Sequence, residues 1–326
     1  MNSKGASQDA SIQDASIVVI NYNSLRFLDE LFASIRDQTL APREIFLVDN
    51  ASSDRSVEVA RDLCPELKII RFEENRGFAA AANAGLEASN CEATAILNTD
   101  IKLENRWLEE LLKSLSSGTD VAAVASKVML YEKPGHINGV GGAMNRLGYT
   151  WDIGMYEEDR GQYDDPAEVI FAPASAALFR KSAVLDSGGF DESFFMYHED
   201  VDLGWRLWLL GYRVLTCPGA VAHHHFGGST KASRSMHWRE LLGERNDITS
   251  LLKNYEMKNV LASIAEMIAL RQSPSRKMAQ LKNLCWNIGK LPRTLRKRRI
   301  IQKRRNLSDD EISRLIVQSS HVPIRL

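Results

Sequence analysis

The chain has 326 residues, 44% of them hydrophobic and 25% charged, so it can bury a large core and is longer than one ordinary domain. Its 41 Lys and Arg against 42 Asp and Glu give a formal net charge of −1, which excludes bulk attraction to nucleic acid and makes any basic function local. Cys64, Cys91, Cys217 and Cys285 are scattered, without a CxxC pair or a signal peptide ahead of them, as expected in a reducing cytoplasm; the longest helical apolar segment, Val260 to Leu270, carries Glu266 and is too short to cross a bilayer.

Residues 1–15 are small and polar and are expected as a disordered tail; of a tandem QDASI, Gln8 to Ile12 and Gln13 to Ile17, the first copy is read as frayed and the second runs into the first strand. Ser16 to Ile20 is a β-branched run ending at Asn21-Tyr22-Asn23, followed by Leu25, Leu28, Leu31, Phe32 and Ile35 at helical spacing. Glu44 to Val48 repeats the pattern, ending at Asp49-Asn50 before an SSD turn and a helix through Val57 to Leu63. Lys68 to Phe72 leads to Asn75-Arg76-Gly77 and an alanine-rich helix, Phe78 to Ala88. The fourth strand, Ala95-Ile96-Leu97, stops at Asn98-Thr99-Asp100 before a helix over Trp107 to Leu115.

Strands alternating with helices predict an α/β fold with a mostly parallel central sheet flanked by helices. Polar residues recur at the carboxyl ends of the strands, where such sheets bind ligands: Asn21 and Asn23, Asp49, Asn75 and Arg76, Asp100. Asp100 either starts a helix or holds a divalent cation that grips a diphosphate. No GxGxxG or P-loop follows the first strand, so neither a dinucleotide nor a glycine-cradled phosphate is indicated.

Farther on, Val121 to Val124 and Ser126 to Tyr131 are expected as two short strands, Gly135 to Gly148 as a glycine-rich loop or hairpin, Trp151 to Asp165 as a loop over a pocket, and Val169 to Phe179 as a strand beneath it. Gly188 to Arg206 crowds His198, Glu199, Asp200 and Asp202 ahead of a helix carrying Leu203, Leu207 and Leu210. Such a cluster is costly unless a cation, a substrate hydroxyl or hydrogen-bond donors compensate it, although Asp200 could also simply favour the helix dipole. Gly211 ends that helix, and Tyr212 to Cys217 leads to His223-His224-His225 and a glycine turn. One of the three histidines, not all, is a candidate metal ligand or diphosphate donor, because successive side chains on extended backbone point to opposite faces. The tail is helical and basic: no acidic residue occurs from Gln272 to Asn306, and Arg293 to Arg305 is dense in Arg and Lys. That stretch is either a solvated face or a docking surface for an anionic membrane. Nucleic acid is disfavoured, since aromatics for base stacking are sparse.

Together, VDNASSD at Asp49, NRGFAAAANAG, NTD at 98–100, GGFDESFFMYHEDVDLGWR and HHHFGGS resemble the family 2 inverting glycosyltransferases of GT-A fold, especially the rhamnosyltransferase-like branch, over roughly residues 16–250. The resemblance implies that Asp49, with Asn21 nearby, reads the base of a UDP- or dTDP-sugar and that Asn75, Arg76 and Asn83 lie along the nucleotide and diphosphate. It implies Asp100 as the last aspartate of a DXD metal motif whose first position is here Asn98, His224 as the distal ligand of Mg2+ or Mn2+ (aligned through Ser229, with His223 or His225 open if the register differs), and Asp200 as catalytic base, with Glu199, His198 and Asp202 on the acceptor side. Arg245-Asn246 is also usual in this branch.

The expectation is a GT-A domain over residues 16–250 and a basic helical extension over 251–326. It would transfer a sugar, rhamnose among the candidates, to a glycan or polyprenyl-linked saccharide in polysaccharide synthesis, in the cytoplasm or at the inner face of the cell membrane. The competing readings are a nucleotidyltransferase, which would want a basic glycine-rich loop where Asn21-Tyr22-Asn23 stands, and a noncatalytic carbohydrate-binding relative, favoured only by Asn98.

Overall fold

Apolar side chains alternate between two cores along the first strand. In β1 (Ala15–Asn21), Ile17 and Val19 enter one cluster and Val18 and Ile20 the other, so a strand buried on both faces needs a continuous apolar sequence. The computed structural model describes residues 12–226, 236–270 and 274–317. Residues 1–11, with most of the first QDASI, and the glycine turn containing Ser229 lie outside the described residues.

After β1 come a 3-10 turn (Leu25–Phe27), α1 (Leu28–Arg36), β2 (Glu44–Asp49), α2 (Ser56–Leu63), β3 (Lys68–Arg71), α3 (Phe78–Ala88) and β4 (Ala93–Asn98). Then follow β5 (Ile101–Leu103), α4 (Trp107–Leu115), β6 (Val121–Leu130), β7 (Ile137–Val140), β8 (Gly142–Asn145) and β9 (Thr150–Asp152). β10 (Ala176–Arg180), α5 (Lys181–Asp186), a 3-10 turn (Glu192–Phe194), α6 (Glu199–Leu209) and β11 (Arg213–His224) complete the region of the sheet. The chain continues through α7 (Met236–Asn254), α8 (Met257–Leu270), α9 (Pro274–Arg304), α10 (Asp309–Ile312) and β12 (Ile316–Val317).

The main sheet has the order β3-β2-β1-β4-β10-β6-β11-β5, with β7 on β6. β3, β2, β1 and β4 are parallel, as the alternation predicts, but β10 is antiparallel to both β4 and β6, so the sheet is mixed beyond its first half. This inversion matters for the crevice: it sets the start of β10 beside the carboxyl end of β4, where Asn98 N–H donates to Ser175 O at 2.9 Å. α1, α2 and α4 cover one face and α3, α5 and α6 the other.

Several expected elements differ. The two strands expected over 121–131 are one, β6, buried along its whole length, because Ala125 between them pairs with β10 and β11 like its neighbours. Of the strand expected over Val169 to Phe179 only β10 is regular; Pro173 has no N–H to give a ladder. The glycine-rich hairpin is β7 and β8, which diverge: β7 joins β6, while β8 joins a second sheet ordered β12-β8-β9. β9 gives regular structure to the first residues of the expected loop.

The C-terminal helices share the main core. Leu251, Tyr255, Val260, Ile312 and Ile316 belong to the cluster that contains Val18, Phe179 and Trp205, and residue 251 lies inside α7. Among the described residues no helix is long and apolar enough to cross a membrane.

Candidate active site

The strand ends form one interlocked edge. Asn21 and Asp49 are register partners on β1 and β2, and Asn21 Nδ2 donates to Asp49 Oδ1 at 2.8 Å and to Ser56 Oγ at 2.8 Å. Asp49 is 0% exposed, accepts from Ser52 N–H at 3.2 Å and from Ser52 Oγ, and lies 3.3 Å from Arg71 Nε. Asp49 therefore shapes the 50–56 loop from beneath and presents no open carboxylate to the crevice. Arg76 is exposed above it, over the Phe72 ring and 3.3 Å from Glu192 Oε2; Asn75 Oδ1 accepts from Gly77 N–H at 2.9 Å. Gly77 (φ 86°) begins α3 where a β-carbon would lie 2.2 Å from Phe195 O, so only glycine fits. Asn83 is spent on structure: its Oδ1 accepts from Phe190 N–H at 2.8 Å and its Nδ2 donates to Phe190 O at 2.9 Å.

Asp100 and His224 meet at the floor. β5 pairs with β11 so that His224 opposes Ile101, and His224 Nε2 lies 3.4 Å from Asp100 Oδ1. Asp100 is 1% exposed. The strand's alternation sends the flanking histidines elsewhere: His223 Nε2 lies 2.7 Å from Glu104 Oε1, and His225 lies between Glu30 (2.9 Å) and Glu132 (3.1 Å) with its ring on Tyr131. Asn138 Oδ1 is 2.5 Å from His224 Nδ1, so that nitrogen is held by the amide oxygen and Nε2 is the ring atom turned to the carboxylate. An imidazole nitrogen and a carboxylate oxygen so placed are ligand types that fit a cation. Among the described residues no group of three such ligands forms a complete cage; Asp100 and His224 are the residues that would hold Mg2+ or Mn2+ here.

The second acidic group lies next to the first. Ala174 N–H, adjacent to the Ser175 that pairs with Asn98, donates to Asp200 Oδ2 at 3.1 Å, and Val201 N–H donates to Asp200 Oδ1 at 2.8 Å. Burial raises the pKa of both Glu199 and Asp200, and for Glu199 the Asp200 charge adds to it. The two backbone donors and His198 favour ionised Asp200, whereas Glu199 Oε2 is buried and, among the described residues, has no hydrogen-bond partner, so the proton the pair retains belongs on Glu199. Asp152, at the end of β9, feels both halves of the site: desolvation pushes its carboxyl up to about 7, the Asp200 charge adds to this and His224 opposes it.

The loop before α6 is strained. Phe195, Tyr197 and His198 have φ of 67°, 68° and 67°, each costing on the order of 1–3 kcal/mol for a non-glycine residue. α7 compensates: Asn246 Nδ2 lies 3.2, 3.1 and 2.8 Å from the carbonyls of Phe194, Met196 and Tyr197, and Arg245 Nη2 donates to Phe194 O at 3.2 Å. Asp202, grouped by sequence with the acceptor side, faces away from it. Fully buried, it accepts from Arg206 Nε at 2.9 Å and Asn254 Nδ2 at 3.0 Å and pairs with Lys253 Nζ at 2.8 Å. Lys253 also pairs with Asp191, as does Lys297.

Residues 16–187, slightly more than half of the chain, match the profile of Glycosyl transferase family 2. The chain belongs to that family. It is 31% identical over 219 residues to the pre-mycofactocin glycosyltransferase of Mycobacterium tuberculosis, covering 66% of this chain and 43% of that protein, so it spans less than half the length of that relative. It is 26% identical over 242 residues to the N-acetylglucosaminyl-diphospho-decaprenol L-rhamnosyltransferase of the same organism, covering 68% and 79% of the two chains. Among solved structures it resembles GalNAc-T7, crystallised with UDP, GalNAc and Mn2+, with a TM-score of 0.61 at 16% identity over 84% of this chain and 55% of that one, a likeness of fold. The fold is GT-A.

Three residues that frame this family 2 site carry no sequence signal. Asn138 and Asp152 lie in short strands among glycines and aromatics, and Asp247 of α7 is one polar residue among many. Asp247 Oδ1 lies 2.8 Å from His198 Nδ1. Asn246 beside it was visible only as half of a family pair.

Proposed function

We propose that the protein is an inverting glycosyltransferase that moves a sugar from a UDP- or dTDP-sugar to a hydroxyl of a glycan or polyprenyl-linked saccharide. The observation that supports this reading is the pair of adjacent links, Asn98 to Ser175 and Ala174 to Asp200, which set the NTD strand end beside the Glu199-Asp200 pair.

In the proposed step Asp200 accepts the proton of the acceptor hydroxyl as that oxygen bonds to the anomeric carbon. The bond from that carbon to the diphosphate oxygen breaks on the opposite face, and the nucleoside diphosphate leaves with the electron pair. Asp100 and His224 would hold Mg2+ or Mn2+, which when bound offsets charge on the leaving diphosphate. Arg76, Asn75 and Asn98 line the donor side; Asn21 and Asp49 act on the base indirectly, through the 50–56 loop. Glu199 and Asp152 stand on the acceptor side.

α9 supplies the reason to place this chemistry at a membrane. At about 100° per residue, Leu281, Leu284, Ile288 and Leu295 form one exposed stripe that Arg296, Arg299 and Lys303 continue, and among the described residues none of these three cations forms an ion pair. An apolar stripe running into cationic side chains complements an anionic lipid surface. We therefore assign catalysis to residues 16–250 and docking at the inner face of the membrane to the extension. The similarity to an N-acetylglucosaminyl-diphospho-decaprenol L-rhamnosyltransferase supports a lipid-linked acceptor.

The test is a thermal-shift and hydrolysis screen of UDP-glucose, UDP-N-acetylglucosamine, dTDP-rhamnose and GDP-mannose with Mn2+. Release of nucleoside diphosphate from a uridine or thymidine donor is the expected result; release of monophosphate, or no stabilisation by any donor, would overturn the reading.

A further inference from the structure

His198 sits in the left-handed region immediately before the two carboxylates of α6, at φ 67°. Its Nδ1 lies 2.8 Å from Asp247 Oδ1, and the Asp247 side chain is only 6% exposed. The ring rests on α7 where the helix has a glycine in its interior: a β-carbon on Gly243 would come within 3.3 Å of His198 Nε2. Glycine disfavours a helix interior, and the approach of this ring gives it a reason to be there. Thr150 Oγ1, two residues before Asp152, is 3.5 Å from the same Nδ1. The neighbouring residue of α7, Asn246, holds the carbonyls of the strained loop that carries His198.

Taking Asp200 as the base, as proposed above, we propose that Asp247 is a positioning residue that acts through His198: it holds the imidazole charged and oriented so that its positive charge keeps Asp200 ionised and ready for the acceptor proton. The charged groups around His198 are Asp247 from α7 and Glu199 and Asp200 from α6, and Asp152 of β9 feels the charge of Asp200. Desolvation works against a charged His198, but Asp247, with Asp200 and Glu199 behind it, raises its pKa to about 9. An imidazolium beside the Glu199-Asp200 pair resolves an otherwise costly accumulation of buried negative charge. It also makes α7 part of the catalytic apparatus instead of a bystander.

The experiment has two arms. In histidine-labelled full-length protein followed by two-dimensional NMR, the imidazole signal lost in His198→Gln identifies His198. That signal should remain imidazolium through neutral pH in the wild type and lose its proton at distinctly lower pH in Asp247→Asn. A wild-type His198 that titrates like an ordinary histidine, or titrates alike in both proteins, overturns the proposal whether or not any donor is turned over. In the second arm, hydrolysis of the best donor from the panel above should fall about tenfold or more at neutral pH in Asp247→Asn with KM for the donor unchanged. The acid limb should move upward, and Asp247→Glu should restore the rate. The double variant His198→Gln with Asp247→Asn should be no slower than His198→Gln alone. Loss of rate that is equal at every pH, or additive effects in the double variant, would show a structural role only and overturn the proposal. Undiminished turnover in Asp200→Asn would instead strike the reading of Asp200 as base, so the two failures are distinguishable.

Discussion

His224 turns Nε2 toward Asp100 Oδ1 at 3.4 Å while Asn138 holds its other ring nitrogen. The three consecutive histidines are thereby unequal, and the difference is measurable. His224→Ala should abolish the Mn2+-dependent part of donor stabilisation in thermal shift, whereas His223→Ala and His225→Ala, which lose contacts to surface glutamates, should retain it. Asn138→Leu removes only the group that orients the imidazole and should weaken metal affinity about 10- to 100-fold. Excess EDTA should mimic His224→Ala; full hydrolysis in the chelator would end the metal assignment.

Glu199 and Asp200 are adjacent and both raised by burial, yet they should not behave alike. Asp200 receives Ala174 and Val201 N–H groups and is the carboxylate of the pair. Asp200→Asn should lower kcat by about 10²- to 10⁴-fold with donor Kd nearly unchanged, and Glu199→Gln, which resembles a protonated acid, should cost far less. Because burial shifts Asp200 upward, the working carboxylate is gained as pH rises through a value above the ordinary aspartate 3.8, and the acid limb of the rate should lie there. An acid limb unchanged in Glu199→Gln would show that the two carboxyls do not share a proton.

β1, β2 and β4 and their polar ends were legible because each of these strands is buried on both faces, so its apolar run is continuous and its end is where polarity resumes, whereas β3, with Lys68 and Arg71 exposed, shows only the pair Ile69-Ile70. The grouping of Asp202 with Asp200 misled for a geometrical reason: residues two apart on a helix point to nearly opposite sides, and Asp202 turns to Lys253 and Arg206. Asn83 likewise reads as a crevice residue, yet its amide closes on the Phe190 backbone. Asp152 could not be found from sequence, since β9 is three residues long and is brought to the site by its pairing with β8 and by the bonds of Ile153 to Val140 and Gly141. Asp247 was hidden too, because its meaning depends on a contact to His198 across 49 positions, which no local pattern records.

Lys253 bridges Asp191 and Asp202, and all three are nearly inaccessible to solvent. Burial alone would raise the Asp191 pKa, but Lys253 and Lys297 hold it far below the ordinary range. Lys253→Met leaves two buried carboxylates short of a partner and should destabilise the fold by about 3–5 kcal/mol in urea unfolding. A depressed carboxyl contributes stability above its unfolded pKa and loses it as pH falls through the folded one. The wild type should therefore lose this contribution in strong acid, below about pH 4, while Lys253→Met should have less to lose there. Equal acid sensitivity in the two proteins would count against the network.

The outer face of α9 can be tested apart from catalysis. Arg296, Arg299 and Lys303 continue the stripe of Leu281, Leu284, Ile288 and Leu295, and each cation near anionic headgroups contributes about 1 kcal/mol. Replacing all three with Glu should reduce partitioning onto vesicles containing phosphatidylglycerol by at least about a hundredfold at low salt, and the wild-type interaction should weaken steeply as salt rises. Ile288→Asp should reduce partitioning with little change in salt dependence, because it removes apolar insertion and leaves the basic side chains in place. Neither change touches the crevice, so hydrolysis of soluble donor should be unaffected in both variants. Equal partitioning of wild type and the triple variant would place the basic residues on a solvated face, and the preference for a membrane-bound acceptor would lose its structural support.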